Sequence, residues 1–187
     1  KKNKLSIPFF YNCDLLKIKD LQNIIKKIIS ENKTIDVLVN NAANDQRHTI
    51  DEVTEEYWDN RINVNLKHFF FAIQAVKDAM IKQKKGSIIN MGSVSWMIGE
   101  GGMPAYTSSK AAILGMTRSF ARDLGSHNIR VNSIAPGSIA TERQIKMWFT
   151  PEYKKFLLDK QCLKRQLEPA DVARVVLFFG SDQSGGC

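Results

Sequence analysis

Histidine is scarce in this chain, three in 187 residues, and cysteine equally so. Cys13, Cys162 and Cys187 are scattered and odd in number. They make neither a metal-ligand spacing nor a disulfide framework, which points to a reducing compartment, the cytoplasm. His48, His68 and His127 form no metal constellation, so no metal is expected. No apolar run nears the roughly 20 residues of a membrane span. The longest, Phe69-Phe70-Phe71-Ala72-Ile73, is flanked by His68 and Gln74. The start, Lys1-Lys2-Asn3-Lys4, is basic, but no long apolar segment or small-residue cleavage site follows, so it does not read as a signal peptide. A Gly-x-Gly-x-x-Gly turn is absent as well. Such a turn brings a helix N-terminus against a pyrophosphate, so these residues lack the usual cradle.

What is present is ordinary for a globular domain: 43% hydrophobic and 25% charged residues in a length that can bury a core. The net charge of +8 invites a nucleic-acid reading. Against it, the lysines are dispersed (Lys17, Lys19, Lys26, Lys27, Lys82, Lys84 and Lys85 among them) with no stacked aromatic platform. They read as solvated helix faces. Neither nucleic acid nor membrane is expected as a partner, and an anionic substrate or cofactor stays compatible with the charge.

Hydrophobic periodicity alternates along the chain. Short apolar runs predict strands beginning at Ile7 and spanning 35–39, 87–91 and 129–134. Helical spacing, as in Ile18, Leu21, Ile25 and Ile28, predicts helices over 18–31, from Thr54 to about Ile81, over 105–124, about 142–149 and 152–160, and from Pro169 to about Phe179. That order predicts one α/β domain over 1–187, a doubly wound parallel sheet with helices on both faces.

The stretch from Ser93 to Lys110 carries the chemistry. Ser93 leaves strand 87–91 at the end where α/β sheets hold their sites. Pro104 suits a helix start, and Tyr106 and Lys110 then share one helix face at i,i+4. Tyrosine titrates near ~10 and is a poor base at neutral pH, but a nearby ammonium favours the phenolate. Lowering it by about 3 units takes roughly 4 kcal/mol. Ser93 adds a hydrogen-bond donor for the same substrate oxygen, giving a general acid/base pair of groups. Tyr-x-x-x-Lys alone also arises by chance on exposed helices; the strand, serine and glycines around it set this one apart. Gly99-Glu100-Gly101-Gly102 lies inside this stretch and is not a phosphate loop.

These motifs resemble the short-chain dehydrogenase/reductase family. Asn40-Asn41-Ala42-Ala43 is similar to the family's Asn-Asn-Ala-Gly, Asn65 stands where its catalytic asparagine does, and Ser93, Tyr106 and Lys110 match its serine, tyrosine and lysine. Arg130 to Gly137 with Thr141 resembles the segment that closes over nicotinamide. The resemblance implies a Rossmann-like fold and the following roles. Tyr106 takes the hydroxyl proton. Lys110 lowers its pKa and holds the cofactor ribose. Ser93 positions the reacting oxygen, and Asn65 supports a relay water. Asp14 accepts from adenine with Leu15 beside it, the alternative for Asp14 being a helix cap. Asn41 and Ala42 pass the adenosine ribose. Pro136, Gly137, Ile139 and Thr141 meet the nicotinamide, the alternative for Pro136-Gly137 being a plain turn.

A finer resemblance links residues 40–48, Tyr57-Trp58-Asp59, Gly92 to Trp96 and Thr141 to Gln144 with Trp148 to the NAD-dependent aldose 1-dehydrogenases, those acting on D-xylose in particular. It implies oxidation of the C1 hydroxyl of a cyclic sugar to a lactone, with NAD, or NADP in its place. Asn44, Asp45 and Ser95 then reach sugar hydroxyls, the alternative being ordinary loop polarity. Trp96 stacks on the sugar or packs in the core. Relative to the family, the first two strands, the glycine-rich turn and the last strand are missing, so the chain reads as an incomplete copy of such a domain. The full form is expected to be a homo-oligomer, dimer or tetramer, paired through helices 61–82 and 105–124. A rival reading is an NADPH-dependent reductase of ketones or 3-oxoacyl thioesters from the same family. A second rival is an inactive fragment that associates through those helices.

Overall fold

Six consecutive buried residues, Gly86–Met91, form the central strand of the structure. A strand covered on both faces requires such an unbroken run, and parallel sheets supply the setting. The computed structural model describes residues 7–187, and the basic start from Lys1 to Lys4 falls outside them. In chain order the elements are α1 (Ile18–Asn32), β1 (Val37–Asn40), α2 (Glu55–Ile62), a π-helical turn (Asn63–Lys67), α3 (His68–Gln83), β2 (Gly86–Met91), α4 (Pro104–Leu124), β3 (Ile129–Ile134), α5 (Glu142–Met147), α6 (Pro151–Lys160) and α7 (Pro169–Gly180). The sheet is parallel with the order β1-β2-β3.

Register places Leu38, Ile88 and Val131 side by side on one face. There they join Leu21 and Ile25 of α1, Ala72, Ile73, Val76 and Met80 of α3, and Leu124 of α4 in one apolar core. A polar seam runs through the same face: Asn40 donates to Asn90 at 2.9 Å, and Asn90 donates to Thr117 of α4 at 3.0 Å. These buried amides find partners in each other and tie both strands to α4. The opposite face is covered by α7, where Ser87 donates to the Phe179 carbonyl and Arg130 to Ser184 and the Ser181 carbonyl.

The run starting at Ile7 departs from expectation and forms no strand. Ile7, Phe9 and Phe10 are 84–88% exposed. The segment folds back on α1, with the Tyr11 hydroxyl donating to Glu31 at 2.6 Å, while Cys13 and Leu15 pack against the core. Apolar alternation makes a strand only where a ladder partner is in reach, and here the helix takes the side chains instead. The sheet among the described residues therefore has three strands rather than four.

The helix expected from Thr54 to Ile81 also has a feature that periodicity does not reveal. It is capped by Thr54, whose hydroxyl accepts from the Tyr57 amide, and it widens into a π turn before α3. Asn65, fully buried, lies in that turn.

Candidate active site

All three strands point their C-terminal ends to the same edge of the sheet, and a cavity of about 520 Å³ opens there. Its walls are the loop after β1 (Asn41 to Arg47), the segment after β2 (Ser93 to Ser95), the start of α4 and the stretch from Gly137 to Gln144. Chain crossovers in parallel sheets leave just such a crevice for a ligand.

Ser93 and Tyr106 both line the cavity. Ser93 Oγ accepts from the Ser95 amide at 3.1 Å, which fixes its rotamer. Ser95 itself is buried, and its own hydroxyl lacks a partner among the described residues. A buried unpaired hydroxyl on a cavity wall is a ready contact for a ligand.

Lys110 sits one turn below Tyr106 and is 2% exposed. Its Nζ donates to the Met91 carbonyl at 2.6 Å and lies over the Tyr106 ring, 5.5 Å from the centroid. Burial brings the ammonium down to about 8, against an upward pull from Asp45. The expectation that Tyr106 is lowered is reversed. Burial raises the phenol above its ordinary value and Asp45 adds to that, while Ser93 and Arg47 pull it down. Burial outweighs the groups that pull the phenol down, and the Lys110 ammonium is anchored on the Met91 carbonyl.

Asn65 holds the loop after β1 through its side chain. Its Oδ1 accepts from the Asn44 amide at 2.7 Å and its Nδ2 donates to the Asn44 carbonyl at 3.1 Å. This two-bond clasp sets the loop after β1. It also turns Asn44 away: Asn44 Oδ1 accepts from the Gln46 amide, and Asn44 is not among the cavity walls. His68 holds the same loop from behind, its Nε2 lying 3.1 Å from the Ala42 carbonyl. Burial lowers the His68 pKa and the nearby Lys110 charge adds to that, against the upward pull of hydrogen bonds to the Ala42 and Val64 backbone.

Of the residues singled out by the sequence, Asn41, Ala42, Asp45, Ser93, Ser95, Tyr106, Gly137, Ile139 and Thr141 meet at the cavity. Asn65 and Lys110 stand directly behind it. Pro136 contributes its carbonyl to the Val94 amide at 3.1 Å and shapes the wall from outside. Thr141 caps α5, its hydroxyl accepting from the Gln144 amide. Asp14 and Leu15 do not line the cavity. Asp14 closes a turn, accepting from the Leu16 amide at 3.0 Å, and Leu15 packs on the core. Trp96 is half-buried and outside the cavity.

Two arginines on the cavity wall carry partners that no local pattern announces. Asp45 accepts from Arg143 on one oxygen and from Gln144 at 2.6 Å on the other. Burial raises the Asp45 carboxyl, but the hydrogen bonds from Arg143 and Gln144 and the Arg143 charge outweigh it and hold the carboxyl low. Arg47 pairs with Glu100 at 3.3 Å, donates to the Gly101 carbonyl at 3.1 Å and lies over the Trp148 ring. The loop after β1 thus grips α5 on one side and the approach to α4 on the other. Replacing Asp45 with alanine is expected to free α5 and raise KM for the ligand of this cavity about tenfold, the scale of one charge-assisted hydrogen bond. Initial-rate kinetics check this, and an unchanged KM would show that α5 is held by other contacts.

A family profile described as enoyl-(acyl carrier protein) reductase matches residues 2–187. D-xylose 1-dehydrogenase of Caulobacter vibrioides is 46% identical over 180 residues, covering 96% of this chain and 71% of that protein. The chain belongs to the short-chain dehydrogenase/reductase family. A 3-oxoacyl-[acyl-carrier-protein] reductase of Thermotoga maritima is 41% identical over 165 residues, 88% of this chain and 66% of that protein. Among solved structures, a Sinorhizobium meliloti protein assigned to the short-chain alcohol dehydrogenases superposes with a TM-score of 0.88 at 29% identity, covering 94% of this chain and 69% of that one. The family's fold is the α/β parallel sheet described above, and its members are NAD(P)-dependent oxidoreductases acting on hydroxyl or carbonyl groups. Among the described residues no helix is long and apolar enough to cross a membrane.

The cavity leaves room for part of such a cofactor. Gly137 leaves open space where a side chain would stand, and Asn41, Ala42, Ile139 and Thr141 continue that wall. No glycine-rich turn for the pyrophosphate occurs in this sequence.

Proposed function

We propose that this chain oxidises the C1 hydroxyl of an aldose to the lactone with NAD. The observation that carries the reading is the charge balance of the cavity. Both lining arginines are already paired, Arg143 with Asp45 and Arg47 with Glu100, and among the described residues no lysine lines the wall. Such a wall offers donors and acceptors without net charge, which suits a neutral polyol. Recognition of a phosphate-bearing acyl carrier calls for cations free to pair with it. The greater identity and coverage of the xylose dehydrogenase support the same choice.

Tyr106, whose phenolate the Lys110 charge and the cationic ring of a bound nicotinamide would favour against the upward pull of burial, removes the C1 hydroxyl proton while Ser93 hydrogen-bonds the same oxygen. Lys110 keeps a positive charge beneath the ring, and Asn65, through its clasp on Asn44, keeps the opposite wall in place. Gly137, Ile139 and Thr141 would hold a nicotinamide along this wall, and when bound it would supply the hydride acceptor. The C1–H bond breaks as the C1–O double bond forms, two electrons and one hydrogen leave with the hydride, and the proton leaves through Tyr106. Ser95, Arg47 and Arg143 remain to meet the other hydroxyls. A site that pairs with hydroxyls rejects analogues lacking them strongly.

Absorbance at 340 nm with a panel of aldoses, run with NAD and with NADP, tests this. Turnover of xylose, arabinose or fucose with NAD is the expected result. Silence on every sugar, with reduction of ketones or 3-oxoacyl thioesters by NADPH, would overturn it in favour of the reductase reading.

A further inference from the structure

His48 is buried beside the start of α4, and no role follows for it from the sequence motifs. The N-terminus of α4 lacks the side-chain cap that helices normally have. The residue in the cap position is Met103, which makes no such bond, and Pro104 carries no amide hydrogen. The first amide needing a partner is therefore that of Ala105, in a fully buried residue that water cannot serve. That amide points at Nε2 of His48, 3.4 Å away and 57 positions distant in the chain.

We infer that His48 is a positioning residue: its imidazole caps the catalytic helix from across the cavity loop and so fixes where Tyr106, the next residue, stands. This rests on the proposed role of Tyr106.

The proton inventory agrees. An amide can only donate, so Nε2 must present its lone pair, and the ring hydrogen resides on Nδ1. Nδ1 faces two oxygens able to accept it, the Gln46 carbonyl at 3.1 Å and the Tyr57 hydroxyl at 3.0 Å. Tyr57 meets the imidazole edge to face with ring centroids 5.0 Å apart, and Arg61 lies over the far side of the Tyr57 ring. A second tie prevents the loop from drifting: the His48 amide donates to the Gly102 carbonyl at 2.8 Å. The ring is therefore oriented from α2 and the backbone from the glycine segment, leaving Nε2 one direction in which to act. Caps matter most in the first turn, where amides otherwise fray.

Two amide variants separate this role from mere packing. His48→Gln sets an acceptor about as far from the backbone as Nε2, whereas His48→Asn reaches only as far as Nδ1. Both remove the ring and its contact with Tyr57. Backbone amide exchange at Ala105 is expected to quicken about fivefold in His48→Asn, the scale of one lost cap, and to stay slow in His48→Gln. Turnover is expected to follow the same order, with kcat down about fivefold in His48→Asn, KM unchanged, and kcat restored in His48→Gln. Equal exchange in the two variants overturns the cap. Split exchange with equal kcat overturns its link to the chemistry. Failure of the Tyr106 reading is distinct from both: it appears as full turnover in Tyr106→Phe, which leaves the exchange result untouched.

Discussion

Tyr106→Phe leaves a folded protein whose turnover has fallen about 10³-fold, within the range that one general acid/base group supplies. The substitution deletes one oxygen and keeps the ring. The ring remains over the Lys110 ammonium, and no described contact that builds the sheet or core passes through the phenol oxygen. Among the described residues, the one side chain acting on that oxygen by hydrogen bonding is Ser93. Stability is therefore expected to move by less than about 1 kcal/mol, as for other volume-conserving changes. The two readouts are initial rate and thermal midpoint. Loss of rate with an unchanged midpoint supports the assignment; retained rate removes Tyr106 from the mechanism; loss of both says that the hydroxyl is structural. A control on Ser93 is informative, because Ser93→Ala keeps the base but removes the second hydrogen bond to the reacting oxygen.

Lys110→Met should separate function from stability more sharply still. Lys110 is a buried cation whose neighbourhood favours its neutral form, with a pKa of about 8 against 10.5 in the unfolded chain. A base with a depressed folded value binds its proton more weakly in the native state. Below pH 8 the lysine is charged in both states, and the full penalty for burying that charge is present. Between pH 8 and 10.5 the unfolded chain holds the proton and the folded one has released it, so stability rises with pH. The rise amounts to about 3 kcal/mol at ~1.4 kcal/mol per unit. A methionine of similar length has no proton to release. Denaturant titrations of both proteins at pH 7 and pH 10.5 are expected to show the wild type gaining about 3 kcal/mol relative to the variant. A constant difference across that range would mean that Lys110 is not penalised by burial. At pH 7 the variant also forfeits the bond to the Met91 carbonyl, which costs about 1–3 kcal/mol. The two effects nearly cancel, so the variant is expected to stay folded at pH 7 while losing turnover.

The pattern that made the central strand and the catalytic helix readable is local. Ile88 and Ile89 bounded by Gly86 and Gly92 announce a buried strand, and Pro104 followed by period-3.6 apolar residues announces a helix. Ser93, Tyr106 and the stretch from Gly137 to Thr141 line one cavity. What escaped depends on partners far along the chain. Ile7 to Cys13 has strand-like composition, but α1 takes it up through Tyr11 and Cys13. Asn44 and Asp45 are adjacent polar loop residues, yet the Asn65 clasp turns the first back on its loop while Arg143, 98 positions away, claims the second. The i,i+4 spacing announces the face that Lys110 shares with Tyr106, but neither the Met91 carbonyl that takes its ammonium nor the burial that raises the phenol.

The π turn at Asn63–Lys67 bears on how this segment tolerates changes in length. A π turn holds one residue more than an α turn. Deleting any one of those five residues would let α2 and α3 fuse into a regular helix with better local hydrogen bonding. Such a deletion keeps α2 and α3 in phase, because the wide turn had already absorbed the extra residue, but it removes the widened turn that carries Asn65. Asn65 would leave the Asn44 backbone, and the loop after β1 would lose its clasp. Residue count in this stretch is therefore more tightly constrained than residue identity, and a single-codon deletion there does more harm than most single substitutions.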